Sequence, residues 1–232
     1  MRPLVTIIIP AWNEGSSIAA TLKALRNVQS DKDQVLWDEL IVVDDGSTDD
    51  TFNQAITWAD KVVKHRSNMG KGAALDTGWK MAGGKIVVFI DADLGESAEL
   101  IGDLLQPVTS GEADMTIACF PSSLKKGGFG LVKGLAIYGI YRLSNFKSNA
   151  PLSGQRAVRM EVLERIGQLS GGFGIEVGLT IDAAKAGYCI QEVPIAFMHR
   201  ETERDWRGFI HRGKQFISVS RALLHKWRHP IC

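Results

Sequence analysis

The stretch IVVFIDAD at residues 86–93 decides the fold prediction, because it joins five apolar residues to two aspartates that stand one residue apart. Five consecutive apolar, β-rich residues without alternation are typical of a strand buried on both faces. Asp91 and Asp93 then emerge at the C-terminal end of that strand, the edge where open α/β sheets bind ligands. Carboxylate oxygens suit Mg²⁺ or Mn²⁺, which can also hold a diphosphate. The stretch predicts such a metal site or, as the alternative, two solvated aspartates in a turn.

The composition is that of a soluble globular protein and excludes disordered and fibrous classes. Of 232 residues, 45% are hydrophobic and 23% are charged, and α/β domains often reach about 200–250 residues as one unit. The three cysteines lack metal-type spacing, which favours a reduced, cytoplasmic compartment. Because no apolar run reaches the roughly 18 residues of a spanning helix and no signal segment precedes the first strand, we expect neither secretion nor a membrane span.

Four apolar runs separated by helical patterns predict the fold class. Strands are expected at 5–9, 40–43, 62–65 and 86–90, and helices at 14–26, after Ser47 and from 68 to 81. This alternation predicts an α/β fold with a mostly parallel central sheet flanked by helices. Pro10 is expected to end the first strand, and Ser47 or Thr48 to cap the second helix.

Four sequence blocks carry a resemblance to a known family. They are IPAWNE at 9–14, VVDDGSTD at 42–49, NMGKG at 68–72 and DAD at 91–93. In this order and spacing they resemble the motifs of family 2 glycosyltransferases, which have the Rossmann-like GT-A fold. The chain is most similar to dolichyl- or polyprenyl-phosphate sugar synthases. A second similarity, to glucosyl- or mannosyl-3-phosphoglycerate synthases, is strongest at 173–182 and 198–200.

The resemblance implies a Mg²⁺ or Mn²⁺ ion and a bound nucleotide-sugar such as a UDP- or GDP-sugar. Asp93 would be the principal metal ligand, and Asp91 would contact ribose or metal-bound water. Gly95 stands where the lipid-phosphate enzymes commonly carry Gln. His199, at the metal-binding histidine of the phosphoglycerate enzymes, would complete the metal shell or contact the diphosphate, and the alternative is a structural histidine. The residues expected to bind the nucleotide-sugar are Pro10, Asn13, Glu14, Asp44, Asp45, Gly70, Lys71, Asp91 and Arg200.

The resemblance also implies an acceptor side. Gly154, Gln155 and Arg156 would face the acceptor and the donor phosphates. In the polar run at 198–206, Arg200 and Arg204 are candidates to bind the diphosphate or the acceptor phosphate. Arg156 is a candidate for stabilising phosphate charge, with a surface strand arginine as the alternative. Glu176 is a candidate catalytic base or acceptor-orienting carboxylate, and the alternative is a helix-terminal glutamate stabilised by the helix dipole.

Charge divides the chain into two unlike halves. Residues 1–114 contain 10 Lys or Arg and 18 Asp or Glu, whereas residues 115–232 contain 17 and 8. Within one domain at 1–232, we expect the first half to bind the nucleotide-sugar and the second to bind the acceptor. Nucleic acid is not an expected partner, because no recognition motif accompanies the basic residues.

Two segments of the second half are both basic and apolar. Residues 125–149 and 207–228 interleave Lys and Arg with aliphatic and aromatic residues and contain no Asp or Glu. The first is suited to a membrane interface, to the protein core or to a contact in a homodimer. The second predicts a basic amphipathic C-terminal helix that packs on the domain or on anionic lipid.

These observations predict a metal-dependent glycosyltransferase with a phosphate-bearing acceptor. Polyprenyl phosphate or another lipid at the membrane surface is the expected acceptor, which would make the protein cytoplasmic and peripheral on the inner face of the membrane. The alternatives are a soluble transferase acting on a small acceptor such as 3-phosphoglycerate and a non-catalytic nucleotide-sugar-binding protein. The stereochemistry stays open, because family 2 resemblance implies inversion whereas the phosphoglycerate enzymes retain configuration.

Overall fold

The structure, a computed structural model, describes residues 4–30, 36–119, 130–169, 174–198 and 206–229. The strands are β1 (Val5–Ala11), β2 (Glu39–Asp44), β3 (Lys61–Lys64), β4 (Ile86–Phe89), β5 (Met115–Cys119), β6 (Arg156–Arg159) and β7 (Ile190–Pro194). The α-helices are α1 (Ile18–Ser30), α2 (Thr51–Trp58), α3 (Lys71–Met81), α4 (Ile101–Thr109), α5 (Gly130–Ser144), α6 (Met160–Ile166), α7 (Ile175–Lys185) and α8 (Trp206–Arg228). A 3₁₀ helix at Gly95–Leu100 leads into α4.

The strands form one seven-stranded sheet in the order β3-β2-β1-β4-β6-β5-β7. All neighbouring strands are parallel except β6, which runs antiparallel to both β4 and β5. The predicted α/β class with a mostly parallel sheet is therefore confirmed. Both the acidic and the basic half of the chain supply strands to this single sheet.

The central strands are buried on both faces, as their uninterrupted apolar runs predict. Successive side chains of a strand point to opposite faces, so Ile7 and Ile9 enter one core layer while Ile8 enters the other. In β4, Val88 packs on the first side and Val87 on the second. Helices α1 and α4 cover one face, and α3, α6 and α7 cover the other.

The first strand continues through Pro10 to Ala11, so the expectation that Pro10 ends it is wrong. Ile8 O accepts a hydrogen bond from Ile90 on the β4 side, whereas Ala11 O accepts one from Asp45 on the β2 side. Backbone groups alternate in direction along a strand, which turns position 10 toward β4, where the pairing already ended at Ile8. The N–H that proline lacks is not needed there.

Helix α1 begins at Ile18 rather than at residue 14, because the preceding backbone is bound to the next loop. Glu14 N donates to Thr51 Oγ1 at 2.8 Å, and Gly15 N donates to Asp49 Oδ2 at 3.0 Å. The cap predicted for the second helix is also wrong. Asp50 is the N-cap residue of α2, while the Ser47 hydroxyl accepts from Asn13 N at 2.9 Å.

A third apolar cluster joins α5, α7 and α8, and α8 lies very close to its neighbours. A Cβ atom added at Gly139 would lie 2.4 Å from Leu223, and one added at Gly174 would lie 2.5 Å from Ala222. Lys226 forms a buried ion pair with Asp182 of α7. The C-terminal helix is thus fixed to the domain over its last turns. Within the described ranges, none of the helices combines the length and apolarity needed to cross a bilayer.

Candidate active site

The predicted site residues that the structure describes gather at one edge of the sheet. The C-terminal ends of the parallel strands β1, β2 and β4 lead to Asn13 and Glu14, to Asp45, and to Asp91 and Asp93. Because β6 runs the opposite way, its N-terminal end brings Gly154 and Gln155 to the same edge. Helices α3 and α7 begin there with Lys71 and Glu176 in their first turns. Residues distant in sequence therefore share one ligand-binding edge.

Asp91 is the centre of this group. Its Oδ1 atom lies 2.8 Å from the Lys71 Nζ atom, and its Oδ2 atom accepts a hydrogen bond from Gln155 Nε2 at 2.7 Å. Lys71 Nζ also donates to Glu176 Oε1 at 3.1 Å. The Asp91 carboxylate therefore attaches α3 and the loop before β6 to the end of β4, and Lys71 extends the connection to α7.

Gly154 allows this approach. A Cβ atom at position 154 would lie 2.6 Å from Lys71 Nζ and 3.1 Å from each Asp91 carboxylate oxygen. Any larger residue would displace the ammonium or the carboxylate. The requirement for glycine here is one of space, because the backbone of the loop passes directly over the ion pair.

The charge of Lys71 is secured by its surroundings. Desolvation is the largest influence and lowers its pKa, but Asp91 and Glu176 together outweigh it and raise the pKa above the ordinary value of 10.5. The side chain as a whole is 31% exposed. Lys71 is therefore a permanent cation close to the acidic side chains of Asp91 and Glu176.

The pKa of Glu14 reflects the excess of negative charge at this edge of the sheet. Burial raises the pKa of Glu14 most, the Ser17 hydroxyl lowers it, and the nearby charges of Asp93, Asp91 and Asp49 raise it further. A carboxylate whose pKa is raised by other carboxylates is stabilised by any bound cation. The electrostatics of the edge thus fit a divalent ion.

The donor set also fits Mg²⁺ or Mn²⁺, in the part that the structure describes. Asp93 is half-buried and Asp91 is 27% exposed, so both carboxylates reach the cleft. Among the described residues, no three His, Cys, Asp or Glu side chains are grouped so as to hold a metal ion by themselves. His199, the third expected ligand, lies outside the described residues. The two aspartates would form one side of a site that other oxygen or nitrogen atoms complete.

Gly95 is explained by its backbone conformation. Its φ angle is +54°, which glycine adopts far more readily than other residues. Gly95 N donates to the buried Thr21 hydroxyl at 2.9 Å, and that hydroxyl donates to Ala92 O at 2.8 Å. Thr21 therefore holds the loop that carries Asp93 in place.

The loops after β1 and β2 support each other. Asn13 Oδ1 accepts from Thr48 N at 3.0 Å, and the fully buried Asp44 accepts from Ser47 N at 2.8 Å. Pro10 lies at the start of this region, with its backbone beside Val43. These contacts fix the two loops that the resemblance assigns to the nucleotide.

Asp45 is more enclosed than a direct nucleotide contact requires, with a side chain only 3% exposed. Its carboxylate accepts hydrogen bonds from Met69 N at 2.9 Å and Gly70 N at 2.7 Å. Gly70 has a φ angle of +92° and is the N-cap residue of α3. Asp45 therefore fixes the turn that delivers Lys71 to the site.

Arg156 differs from the expectation that it contacts phosphate. Its side chain is 1% exposed, its Nε atom donates to Ser153 O, and its Nη1 atom donates to the Thr180 hydroxyl at 2.9 Å. Burial lowers the pKa of the guanidinium to about 10, although Glu176 and Glu192 favour the charged form. The structure favours a positioning role, in which Arg156 ties the loop before β6 to helix α7.

Three expected residues lie outside the described part of the chain, namely His199, Arg200 and Arg204. Three others were missed in the sequence, namely Thr21, His65 and Glu192. Thr21 carried a usable signal, because it is a polar residue on the apolar face that Ile18, Leu22 and Leu25 define. Glu192 accepts hydrogen bonds from Ser148, Asn149 and Ala150, and nothing in the local pattern marks that long-range contact.

A family model shows that the chain, with this fold and this site, belongs to glycosyl transferase family 2. The family model matches residues 6–167. The resemblance expected from the four sequence blocks is thereby confirmed, as is the GT-A fold.

The similar proteins include two kinds of enzyme. Glucosyl-3-phosphoglycerate synthase of Mycobacterium tuberculosis is 31% identical in an alignment of 199 positions that covers 77% of this chain and 60% of that protein. Dolichol-phosphate mannosyltransferase of Pyrococcus furiosus is 30% identical in an alignment of 244 positions that covers 98% of this chain and 65% of that protein. The matches thus span less than two thirds of the length of these relatives.

A solved structure gives the most detailed comparison. Mycobacterium tuberculosis glucosyl-3-phosphoglycerate synthase, in complex with Mn²⁺, UDP-glucose and phosphoglyceric acid, superposes with a TM-score of 0.79 and 28% identity. The superposition covers 98% of this chain and 81% of that one. A second structure of the same enzyme holds Mg²⁺ and UDP.

Proposed function

We propose that the chain is a glycosyltransferase that takes a sugar from a UDP-sugar, with Mg²⁺ or Mn²⁺, and transfers it to a small phosphorylated acceptor of the phosphoglycerate type. The observation that carries this proposal is the meeting of Asp91, Lys71, Glu176 and Gln155 at the carboxyl edge, beside Asp93. The likeness to an enzyme holding Mn²⁺, UDP-glucose and phosphoglyceric acid supports the choice of donor and acceptor.

Asp93 and Asp91 would hold the ion, with His199 as the third protein ligand. A divalent ion bound there would neutralise the charge that develops on the leaving diphosphate. The nucleotide side of the site would be formed by Pro10, Asn13 and Glu14. Asp44 and Asp45 would contribute to it by fixing the loops in which they lie.

Lys71 and Glu176 would prepare the reacting end of the site. Lys71, a permanent cation between two carboxylates, would attract the diphosphate as it reaches Asp91. Glu176 is 8% exposed and oriented by Lys71, so it would position an acceptor hydroxyl rather than move freely. Gly154 and Gln155 would border the acceptor, and Arg200 and Arg204 would supply charge for its phosphate.

The sequence patterns predict a lipid phosphate as the acceptor, whereas the similar proteins give more support to a small phosphorylated acceptor. The structural likeness to the phosphoglycerate enzyme extends over nearly the whole chain. Incubation with UDP-glucose, Mn²⁺ and 3-phosphoglycerate, without lipid or detergent, should form a glucosylated product. Failure with 3-phosphoglycerate and with other small phosphorylated acceptors would reject the small-acceptor proposal.

Donor binding can be tested separately by thermal shift. UDP-glucose with Mn²⁺ should raise the melting temperature, because a ligand that binds only the native state stabilises it. Asp93→Asn should remove the metal-dependent part of that rise. Asp103→Asn, on the exposed side of α4, is the matched control and should keep it. A full metal-dependent rise in Asp93→Asn would refute the metal assignment.

One observation favours a lipid acceptor as a second candidate. Apolar side chains are exposed on α5 and α8, with Tyr138 at 64%, Ile217 at 51% and Trp227 at 68%. Exposed basic residues, including Arg142 and Arg221, accompany them. Aromatic and basic side chains together are typical of surfaces that rest on anionic membranes. Under this candidate the protein is cytoplasmic and peripheral on the inner face of the membrane.

Vesicle sedimentation distinguishes the two candidates. A lipid-directed enzyme should bind phosphatidylglycerol vesicles, lose that binding as salt rises, and bind more weakly after Trp227→Ser with Ile217→Ser. Ile56→Ser, at a 54% exposed position on α2, should leave binding unchanged. If the wild-type protein stays in solution at low salt, the lipid candidate fails.

A further inference from the structure

His65 forms a bridge at the base of the candidate site. Its Nδ1 atom lies 2.7 Å from Asp45 Oδ1, and its Nε2 atom lies 3.0 Å from the Thr77 hydroxyl on α3. The side chain is 10% exposed. His65 N also donates to Asp44 O at 2.8 Å, which fixes the backbone of the bridge to β2.

The bridge acts on the turn before α3, which residues 45 and 46 contact from two sides. Gly46, with a φ angle of +75°, has the backbone of residues 67 and 68 so close that a Cβ atom would lie 2.5 Å from Ser67 C. On the other side, Asp45 receives the N–H groups of Met69 and Gly70. The turn that precedes α3 is therefore held between Gly46 and a carboxylate that His65 orients.

The second contact of the imidazole extends this control along α3. Thr77 lies almost two turns beyond Lys71 in the same helix. His65 thus connects to α3 at two levels, through Asp45 to the turn just before the helix and through Thr77 to its middle. Lys71, whose ammonium contacts Asp91 and Glu176, lies between these two attachments.

We infer that His65 is a positioning residue, which fixes the start of α3 so that Lys71 meets Asp91 in the geometry needed for nucleotide-sugar binding. The inference rests on the proposed function for its effect on the ligand. The bracing of the turn by His65 does not depend on that function. A neutral imidazole suffices, with Nδ1–H donating to Asp45 and Nε2 accepting from Thr77.

Three substitutions, two at His65 and one at Thr77, separate the two contacts of the imidazole. His65→Ala removes both, His65→Asn keeps an N–H donor near the Nδ1 position, and Thr77→Val removes only the second contact. We expect the dissociation constant for UDP with Mn²⁺, measured by calorimetry, to rise about tenfold or more in His65→Ala. His65→Asn and Thr77→Val should show much smaller increases. His229→Ala, at the exposed end of α8, is the control.

Amide hydrogen exchange tests the bracing without any ligand. In His65→Ala the N–H groups of Met69 and Gly70 should exchange faster, while those of Ile8 and Ile41 in the central strands keep their wild-type rates. Unchanged exchange at Met69 and Gly70 would overturn the inference, as would wild-type UDP affinity in His65→Ala. An equal loss of affinity in His65→Asn and His65→Ala would also overturn it. If the wild-type protein binds no UDP, the proposed function fails, and the exchange experiment still decides the bracing.

Discussion

The Lys71 Nζ atom lies 2.8 Å from Asp91 Oδ1, so the first residue of α3 forms an ion pair with the residue that follows β4 and Ile90. The same ammonium reaches Glu176 at the start of α7. Two carboxylates that would repel each other therefore share one cation. The contact connects the expected donor side of the site to its expected acceptor side.

Replacing Lys71 by Met should weaken UDP binding about tenfold or more and reduce the free energy of unfolding by about 1–3 kcal/mol. The pKa of Lys71 is raised above 10.5, so its stabilising effect is complete below that value and is lost only at still higher pH. The stability difference from wild type should therefore stay constant between about pH 6 and 9. Urea unfolding across this range measures it, with Lys85→Met at an exposed position as the control.

Gly154→Ala should reduce activity strongly while changing stability little. The added Cβ atom meets the end of the flexible Lys71 side chain first, at 2.6 Å, and we expect that ammonium to move away from Asp91 while it keeps its ion pair with Glu176, which Lys71→Met would also remove. Its movement breaks the contact with Asp91. We expect transfer activity to fall at least about tenfold with less than about 1 kcal/mol lost in unfolding. Gly134→Ala is the control and should keep full activity, because among the described residues outside its own helix no atom lies within 4 Å of the added Cβ atom.

Glu192→Gln should destabilise the loop at residues 148–150. Burial raises the pKa of Glu192, but hydrogen bonds from Ser148, Asn149 and Ala150 outweigh it and hold the pKa below 4.5. An amide offers only one acceptor atom, so we expect a loss of about 1–3 kcal/mol at pH 7.

The stabilising effect of the Glu192 carboxylate should depend on pH. A depressed carboxyl pKa contributes stability above the unfolded value, and that contribution disappears as the pH falls through the folded value. The gap between wild type and Glu192→Gln in urea unfolding should therefore narrow below pH 4.5. If the difference in unfolding free energy between wild type and Glu192→Gln did not change with pH, the stabilising role of the Glu192 charge would be contradicted. Glu164→Gln, on the exposed side of α6, should match wild type.

Lys226→Met should cost about 3–5 kcal/mol, because it leaves Asp182 buried without its cation. Burial raises the pKa of Asp182, and Lys226 opposes that effect most. Without Lys226 the carboxyl should bind a proton more readily in the folded state than in the unfolded state, so the variant should become more stable as the pH falls from 7 toward 5. Adding Asp182→Leu should recover part of the loss. Thermal unfolding of the single and double variants measures both effects.

Much of the fold follows from local sequence patterns. The apolar runs at 5–9 and 86–90 predict buried strands, and Asp91, Asp93 and Lys71 could be placed because they follow strands or begin a helix. Arg156 could not be placed, because the sequence of β6 does not show that this strand enters the centre of the sheet. His65 and Glu192 act on loops far away in the chain, and their local surroundings resemble ordinary strand ends.

Strand β6 lies between β4 and β5, although it follows both in the chain. During synthesis, the facing edges of β4 and β5 therefore await a neighbour that is translated later. Open strand edges pair readily with other chains, and sheet contacts between distant segments form slowly. A ribosome that stalls before residues 156–159 would release a product in which β4 lacks one neighbour and β5 lacks both, because β7 is also translated later. Chaperone protection of the nascent chain should matter most during that interval.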